Sequence, residues 1–447
     1  MAFAAFDGLL GEIGMVDAVH RVGSVVSIER GTLEVAGLDQ KVALGDRVRV
    51  LASNGRSLDG EILSLSPGRV TVLPDSSPEG IALGARVENL GQIGLAPDDS
   101  WIGRVIDPFG KPLDGRPILR GTIPRGLRDG PPQAAGRRRL GERLDTGVAV
   151  FNTLLPLVRG QRVGLFAGSG VGKSSLMGKF ARGVAADVVV VALIGERGRE
   201  LREFVEHAMG PEGMARSVVV AATSDQSPLV RRRCAWAAMT VAEHFRDRGL
   251  HVLLLADSIT RFAEAHREVA LAGGEPPTLR GFPPSTSHQI MALAERAGPG
   301  AEGSGDITAV FSVLVAGSDM EEPVADILRG VLDGHVVLDR SIAERGRYPA
   351  IDLLRSVSRS LPTAATEAEN ALIGEARRLL GAYDRAEMMI RAGLYVSGSD
   401  SLVDRAIRVW PDLDAFLAED APEGVAASFS RLAAIVAAAA DPAGARR

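Results

Sequence analysis

A glycine-rich turn in the middle of the chain constrains the fold more than any other feature of the sequence. The turn, Ala167-Gly-Ser-Gly-Val-Gly-Lys-Ser174, lies between a short apolar strand predicted at 162–166 and a helix predicted from Ser175 to Arg182. Backbone N–H groups in a turn this rich in glycine can point inward at one phosphate group. The strand–loop–helix context therefore indicates a phosphate-binding loop rather than a chance match.

The residue types of this loop suit a bound nucleoside triphosphate. The helix N-terminus supplies partial positive charge, Lys173 can reach the β- and γ-phosphates, and the Ser174 hydroxyl can hold Mg²⁺. Ala167 stands where the general pattern has glycine, at a position that needs a small residue. The alternative is a glycine-rich strand–helix turn that binds nothing. The predicted nucleotide-binding residues are Ala167, Gly168, Ser169, Gly170, Val171, Gly172, Lys173, Ser174 and Ser175.

Composition limits the class of protein. A chain of 447 residues is too long for one hydrophobic core and is expected to hold about two or three domains. Its net charge of −5 argues against a general nucleic-acid surface. The single cysteine, Cys234, excludes an intramolecular disulfide and is predicted to be buried. No signal peptide opens the chain, and apolar runs such as 188–194 are too short to cross a membrane, which predicts a cytoplasmic protein.

Hydrophobic patterning divides the chain into four parts. Residues 1–19 have partial helical spacing interrupted by glycines, which fits either a flexible lead-in or a partner-binding helix. Short strands with frequent turns predict a small β-barrel over 20–90. Alternating strands and helices predict an α/β domain over 91–365, and an alanine-rich helical pattern predicts an all-α domain over 366–447. The predicted barrel strands are 23–28, 32–35, 46–50, 60–63 and 69–72.

The apolar runs of the α/β domain are continuous rather than alternating, as in buried parallel strands. They predict a doubly wound, mostly parallel sheet with helices on both faces. The strands are predicted at 162–166, 188–194, 217–222, 251–256 and 307–315. An irregular connector rich in proline, glycine and arginine precedes them at 107–139, and its arginine triplet at 137–139 is predicted to be a solvated turn.

Two acidic residues follow predicted strands of this sheet. Asp257 ends the strand at 251–256 and is expected to be the carboxylate that orders the Mg²⁺ shell. Glu196 follows the strand at 188–194 and can polarise a water molecule for in-line attack on the γ-phosphorus. The adjacent Arg197 can contact phosphate oxygens, although a solvated charged turn has the same spacing.

Two further candidates lie near residue 350. Tyr348, in a chain with 4% aromatic residues, can stack on a nucleotide base. Arg359 can act as an arginine finger that reaches the γ-phosphate in a neighbouring subunit. From the residues alone, neither assignment is favoured over a structural role.

Several segments taken together resemble the rotary-type ATPase family, and more narrowly the flagellum-specific ATPases that energise type III protein export. The resemblance covers essentially the whole chain, and the set of motifs and its order are specific. The alanine at the start of the phosphate loop is itself typical of the export branch. The segments are 166–174, 194–200, 245–249, 256–262, 274–277, 281–285, 332–335, 381–383 and 392–400.

This resemblance implies an ATP-hydrolysing enzyme with a RecA-like core and gives roles to individual residues. Lys173 and Ser174 become phosphate and Mg²⁺ ligands, and Glu196 becomes the water-activating base. The other implied roles are support of the phosphate end by Arg197 and Arg261, ordering of the metal shell by Asp257, packing of Tyr348 on adenine, and action of Arg359 in trans.

The resemblance also implies partners and a location. It implies a homohexameric ring, a stator-like negative regulator bound to residues 1–19, and a central stalk protein that threads the ring. Export gate membrane proteins and chaperone–cargo complexes are further implied partners, with no nucleic acid. The protein would be cytoplasmic and peripherally associated with the membrane at the flagellar base. The stretch 286–289 departs from the apolar or aromatic residues common in the family and leaves the details of the pore side open.

Other functions remain to be weighed against flagellar export. The nearest is the injectisome ATPase of virulence secretion, which the sequence barely separates from the flagellar enzyme. A proton-translocating ATP synthase subunit is disfavoured by the C-terminal motifs and the loop variant. A ring-shaped RNA translocase is disfavoured by the acidic composition and by the lack of interleaved basic and aromatic residues in the barrel. A purely structural nucleotide-binding ring requires that Glu196 or Arg359 be misassigned.

Overall fold

A computed structural model describes residue 13 and residues 20–29, 31–38, 42–52, 55–315 and 320–439. The partner-binding segment predicted at 1–19 lies outside this part of the chain, apart from residue 13. The predicted fold class is confirmed: a small N-terminal barrel, an α/β core with a mostly parallel sheet, and C-terminal helices. The exact boundaries of these units at residues 20, 91 and 366 stay a prediction.

Six antiparallel strands close the N-terminal barrel in the order β1-β2-β5-β4-β3-β6. Alternate residues of these strands, such as Val25, Leu33 and Val72, are buried inside the barrel. Five strands were expected, and the sixth was missed because Glu88 and Asn89 interrupt its apolar pattern. The strands are β1 Arg21–Glu29, β2 Thr32–Ala36, β3 Arg47–Leu51, β4 Ser57–Ser66, β5 Arg69–Pro74 and β6 Arg86–Gly91.

The second sheet forms the centre of the molecule, with strand order β15-β14-β8-β13-β11-β9-β10-β7 and β12 paired to β13. All its pairings are parallel except those of β15 with β14 and of β12 with β13. Its strands are β7 Arg104–Ile106, β8 Arg162–Ala167, β9 Val188–Glu196, β10 Ser217–Thr223, β11 His251–Asp257, β12 Gly298–Pro299, β13 Asp306–Leu314, β14 Gly334–Leu338 and β15 Ile351–Ser358.

Helices cover both faces of this sheet and then form the C-terminal unit. Those of the core are α1 Ala149–Asn152, α2 Lys173–Gly183, α3 Gly198–Glu203, α4 Gly210–Met214, α5 Pro228–Asp247, α6 Ile259–Ala272, α7 Ser285–Arg296, α8 Pro323–Val331 and α9 Arg340–Glu344. The C-terminal helices are α10 Glu367–Arg391, α11 Ser401–Phe416 and α12 Gly424–Ala438. Among the described helices, none combines the length and the apolar character needed to cross a bilayer.

The five core strands expected from apolar runs are all present, and their burial explains why they could be predicted. In β9, eight consecutive residues are buried, because helices cover both faces of the sheet. The antiparallel edge strand β15 was missed because its residues alternate irregularly between buried and exposed. Cys234 is fully buried in α5, as expected, and burial raises the pKa of its thiol.

The expectation of a solvated arginine turn at 137–139 is wrong for Arg137, whose side chain is only 15% exposed. Arg137 donates to the Glu295 carbonyl oxygen and, at 3.3 Å, to the Glu295 carboxylate. Arg138 donates to Asp306 at 2.6 Å and to the Ser304 carbonyl oxygen at 2.7 Å. These hydrogen bonds hold the connector against the core, while Arg138 and Arg139 are themselves exposed.

A buried ion pair joins helices α5 and α7, and its loss should destabilise the protein. Arg296 and Glu243 form a two-contact pair at 2.6 and 3.0 Å, with both side chains almost fully buried. Replacing Glu243 with glutamine leaves a buried cation uncompensated and should lower the free energy of unfolding by about 3–5 kcal/mol. A fall in the urea midpoint would measure this loss. The exposed pair Arg340–Glu344 is the control, and Glu344→Gln should cost at most about 0.5 kcal/mol. Equal losses in the two variants would contradict the prediction.

Candidate functional site

Parallel strands end at the same edge of the central sheet, and a cleft of about 910 Å³ opens there. Strands β8, β9 and β11 reach it with Ala167, Glu196 and Asp257, so three residues distant in sequence meet at one place. The cleft is large enough for a nucleotide.

The phosphate loop forms the floor of this cleft. Gly172 has φ +88°, a backbone conformation that favours glycine, and it directly precedes the first residue of α2. The free N–H groups of that helix terminus therefore face the cleft. Val171 is buried in the core, so its side chain supports the loop from behind. The loop residues that line the cleft are Ala167, Gly168, Ser169, Gly170, Gly172, Lys173, Ser174 and Ser175.

Lys173 is held between two carboxylates. Its ammonium donates a hydrogen bond to Asp257 Oδ1, and Nζ lies 3.9 Å from Glu196 Oε1. Ser312, on the neighbouring strand β13, donates to the same oxygen of Asp257 at 2.6 Å. Ser312 was not singled out from the sequence; the signal available was a hydroxyl within an otherwise apolar strand. These contacts fix the Asp257 carboxylate before any ligand arrives.

Glu196 has the electrostatics of a base that can work near neutral pH. Burial raises the pKa of its carboxyl to about 7, and the nearby Asp257 carboxylate adds to the rise while Lys173 opposes it. Glu196 shares a hydrogen bond with Glu200, which lowers the pKa of Glu200. A general base is most effective when its pKa lies close to the working pH.

Arginines line the cleft, each beside a carboxylate. Arg197 lies 3.4 Å from Glu200, and Arg261 lies 2.9 Å from Glu264. Arg231, which the sequence analysis missed, also lines the cleft and is held 3.0 Å from Glu268. Arg231 lies in the first turn of α5 and is the first of three consecutive arginines. The sequence alone therefore did not show which of the three faces the cleft.

The turn that carries Glu196 is packed between two of these arginines. Gly195 has φ +71°, and a Cβ placed there would lie 3.4 Å from side-chain carbons of both Arg231 and Arg261. Only glycine fits this combination of backbone conformation and close packing without strain. The stems of the two arginines therefore help to fix the direction of Glu196.

Tyr348 lies beside the phosphate loop, whereas Arg359 lies away from the cleft. Tyr348 packs beside the phosphate loop: a Cβ on Gly172 would lie 3.0 Å from Tyr348 Cδ1. Arg359 follows β15 and does not line the cleft; it donates to the carbonyl oxygens of Leu332 and Arg329 at 2.9 and 3.1 Å. The structure thus brings Tyr348 to the loop and leaves Arg359 away from it.

The donors in the cleft fit a magnesium ion bound together with a triphosphate. Among the described residues, no group of three or more His, Cys, Asp or Glu side chains could hold a metal ion alone. Mg²⁺ commonly takes several ligands from phosphates and water and few from protein. The Ser174 hydroxyl and the Asp257 carboxylate, both in the cleft, are hard oxygen donors of the kind that it prefers.

Family models match most of the core and the C-terminal helices. Residues 147–358 match the nucleotide-binding domain of the ATP synthase alpha/beta family. Residues 365–433 match the C-terminal domain of the type III secretion ATPase EscN. The first match contains the phosphate loop, Glu196 and Asp257, and the second covers α10, α11 and most of α12.

Relatives match over nearly the full length of the chain. The flagellum-specific ATP synthase of Caulobacter vibrioides is 44% identical over 93% of this chain and 95% of its own length. The one from Salmonella typhimurium is 44% identical over 92% of both chains. The type 3 secretion system ATPase of Xanthomonas euvesicatoria is 42% identical over 89% of both chains.

A solved structure of the assembled ATPase EscN, from the type III secretion system of enteropathogenic E. coli, is similar with a TM-score of 0.86. It is 34% identical to this chain and covers 93% of it and 100% of the EscN chain. Because these similarities extend from the barrel to the C-terminal helices, the chain belongs to the ATP synthase alpha/beta family, in the branch of the flagellum-specific and type III secretion ATPases, and is an ATPase.

Proposed function

We propose that this ATPase hydrolyses ATP to drive the export of flagellar proteins by a type III apparatus and to release export chaperones from their cargo. The observation that carries the proposal is near-full-length similarity to flagellum-specific ATP synthases. The match of the C-terminal helices to a type III secretion domain supports the export branch over the ATP synthase itself. The second candidate is the virulence-type secretion ATPase, which the similarity to EscN favours.

The phosphate loop would bind the triphosphate of ATP. The N-terminus of α2 and the Lys173 ammonium neutralise the β- and γ-phosphates, and Lys173 exchanges part of its contact with Asp257 for phosphate oxygen. Ser174 and Asp257 would hold Mg²⁺, which supplies charge neutralisation of the phosphates when it is bound. Arg197 and Arg261, already beside the cleft, would support the phosphate end by turning away from their carboxylate partners.

Glu196 would act as the general base. Its carboxylate accepts the proton of the attacking water as the water oxygen bonds to the γ-phosphorus and the bond to the β-phosphate oxygen breaks. Glu200, hydrogen-bonded to Glu196 at the exposed side of the cleft, helps to hold the base in place. Tyr348 would pack against adenine beside the loop.

Arg359 would act in trans, and its position supports this. Its backbone N–H bonds to Asp333, whose own N–H bonds to Arg162 at the start of β8. The phosphate loop follows the other end of that strand, about 20 Å away for six residues of parallel strand. An arginine side chain cannot span this distance within one protomer. A ring in which neighbours contact head to tail would bring the guanidinium to the next cleft.

The partners and the location form part of the proposal. A homohexameric ring is supported by the solved structure of assembled EscN, and a stalk protein by the solved complex of EscN with its central stalk EscO. We further propose a stator-like regulator bound to residues 1–19, and contacts with export gate membrane proteins and chaperone–cargo complexes. The protein would work in the cytoplasm, peripherally attached to the membrane at the flagellar base, without nucleic acid.

A deletion strain tests this function. Loss of the gene should abolish swimming and secretion of flagellar proteins, and the wild-type gene should restore both. A Lys173→Ala gene should fail to restore normal export, because it removes phosphate binding. Normal motility together with lost secretion of virulence effectors would instead establish the second candidate.

The raised pKa of Glu196 predicts how ATPase activity depends on pH. A carboxyl group whose pKa rises from 4.5 to about 7 is largely protonated below pH 7 and cannot accept a proton there. We therefore expect kcat/KM to rise about tenfold per pH unit below pH 7 and to level off above it. Glu264→Gln removes another cleft carboxylate and should keep the inflection near pH 7. A flat profile between pH 5.5 and 8, about the range in which this group titrates, would contradict the assignment.

A further inference from the structure

Two ion pairs fasten the segment 345–349, just before β15, to the C-terminal helices. Arg345 lies 3.1 Å from Glu387 of α10. Arg347 lies 3.0 Å from Asp414 of α11. The segment is therefore held at two points, one before and one after Gly346.

Arg347 is the more deeply placed of the two arginines. Its side chain is 9% exposed, and its Nη2 donates to the Ile351 carbonyl oxygen at 2.7 Å. Its Nη1 is buried without a hydrogen-bond partner among the described residues. Burial lowers the pKa of Arg347, and the Asp414 carboxylate opposes this effect. A buried guanidinium with incomplete hydrogen bonding depends strongly on its one carboxylate.

Tyr348 directly follows Arg347, the second of the two paired arginines. One edge of its ring packs against Gly172 of the phosphate loop, while 51% of the residue is exposed. A half-exposed ring has few contacts of its own to restrict its position. The backbone must therefore hold the ring in place. On one side of Tyr348, Arg347 pairs with Asp414 of α11, and the same arginine donates to the Ile351 carbonyl oxygen on the other side.

We infer that the Arg347–Asp414 pair is a positioning device for the nucleotide base: it holds Tyr348 ready to stack, so that the C-terminal helices set the affinity for adenine. The inference rests on the proposed role of Tyr348. A ring that is already held in place loses less conformational entropy when the base binds, so binding is stronger. Loss of the pair should therefore weaken ATP binding and leave the chemistry at Glu196 unchanged.

The test compares ATP with inorganic tripolyphosphate, which has the phosphates but no base. The variants are Asp414→Asn, which keeps the size of the side chain and removes its charge, and Tyr348→Ala. The control is Glu375→Gln, which breaks the pair with Arg405 between the same two helices but away from Tyr348. For each variant we would measure the Kd of ATP, the Ki of tripolyphosphate and kcat, after circular dichroism has established folding.

Tyr348→Ala should raise the Kd of ATP about tenfold or more, and Asp414→Asn about three- to tenfold, from the usual strength of base stacking. For Asp414→Asn, the Ki of tripolyphosphate and kcat should change by less than about twofold. Asp414→Glu should restore most of the lost affinity, and Glu375→Gln should behave as the wild type.

Each other outcome has a definite meaning. If Tyr348→Ala leaves the Kd of ATP unchanged, the proposed role of Tyr348 itself is wrong. If Tyr348→Ala weakens ATP binding and Asp414→Asn does not, the positioning inference is overturned. The inference is also overturned if Asp414→Asn weakens ATP and tripolyphosphate equally, because that result indicates general damage. Should Asp414→Asn not fold, Arg347→Lys replaces it: this variant keeps the charge but loses the hydrogen bond to the Ile351 carbonyl oxygen, and an unchanged Kd of ATP would then overturn the inference.

Discussion

Replacing Glu196 with glutamine is expected to lower kcat by about 10³-fold or more, while the Kd of ATP changes by less than about threefold. Glutamine has nearly the same size and can still lie beside Lys173, but it cannot accept a proton from water. The loss should therefore fall on the chemical step and not on binding. Phosphate release measures kcat, and titration with a fluorescent ATP analogue measures binding.

The control for this prediction is Glu264→Gln, which removes a carboxylate from the same cleft. Glu264 pairs with Arg261 at 2.9 Å, so its loss should disturb only one arginine and reduce kcat by less than about tenfold. If Glu196→Gln retains more than about a tenth of wild-type turnover, water activation must come from another group. Glu200, which is hydrogen-bonded to Glu196, would then be the first to examine.

The core strands could be predicted from the sequence because a strand that is buried on both faces consists of a continuous run of apolar residues. Strands such as β9 and β11 are continuous apolar runs, since helices cover them on both sides. The strands that were missed are short or lie at an edge of the sheet. The strands β7, β12 and β14 have only three, two and five residues, and β15 is an antiparallel edge strand in which Leu354, Arg355 and Val357 are exposed.

The position of the site could be predicted where a characteristic residue directly follows a buried strand. Glu196, Asp257 and the phosphate loop meet in a single cleft because parallel strands end at one edge. Ser312 and Arg231 could not be found this way, since their importance comes from contacts across the sheet and between helices. The Arg347–Asp414 pair beside Tyr348 could not be predicted either, because Asp414 lies in the C-terminal helices, far from Arg347 in the sequence.

The second large effect should come from Arg359. If Arg359 acts in trans as proposed, Arg359→Ala protein should hydrolyse ATP about 10³–10⁵-fold more slowly than wild type, the usual contribution of an arginine finger. Within one protomer the guanidinium lies at the opposite edge of the sheet from the phosphate loop, bonded to the carbonyl oxygens of Leu332 and Arg329. Loss of activity alone does not distinguish action in trans from damage to these contacts, so a mixing experiment is required.

Mixing Arg359→Ala chains with Lys173→Ala chains makes this distinction. Each variant alone lacks one half of every site, but a mixed ring places intact loops opposite intact fingers at up to about one quarter of its interfaces. Activity should therefore reappear on mixing and rise to a maximum near equal amounts of the two chains. The control replaces the Lys173→Ala chain with one carrying both substitutions, which supplies no finger and should restore nothing. If Arg359 acted in cis, a neighbouring protomer could not complete the site, and mixing would restore nothing. Absence of recovery at every ratio, in rings that have been shown to exchange subunits, would therefore refute action in trans.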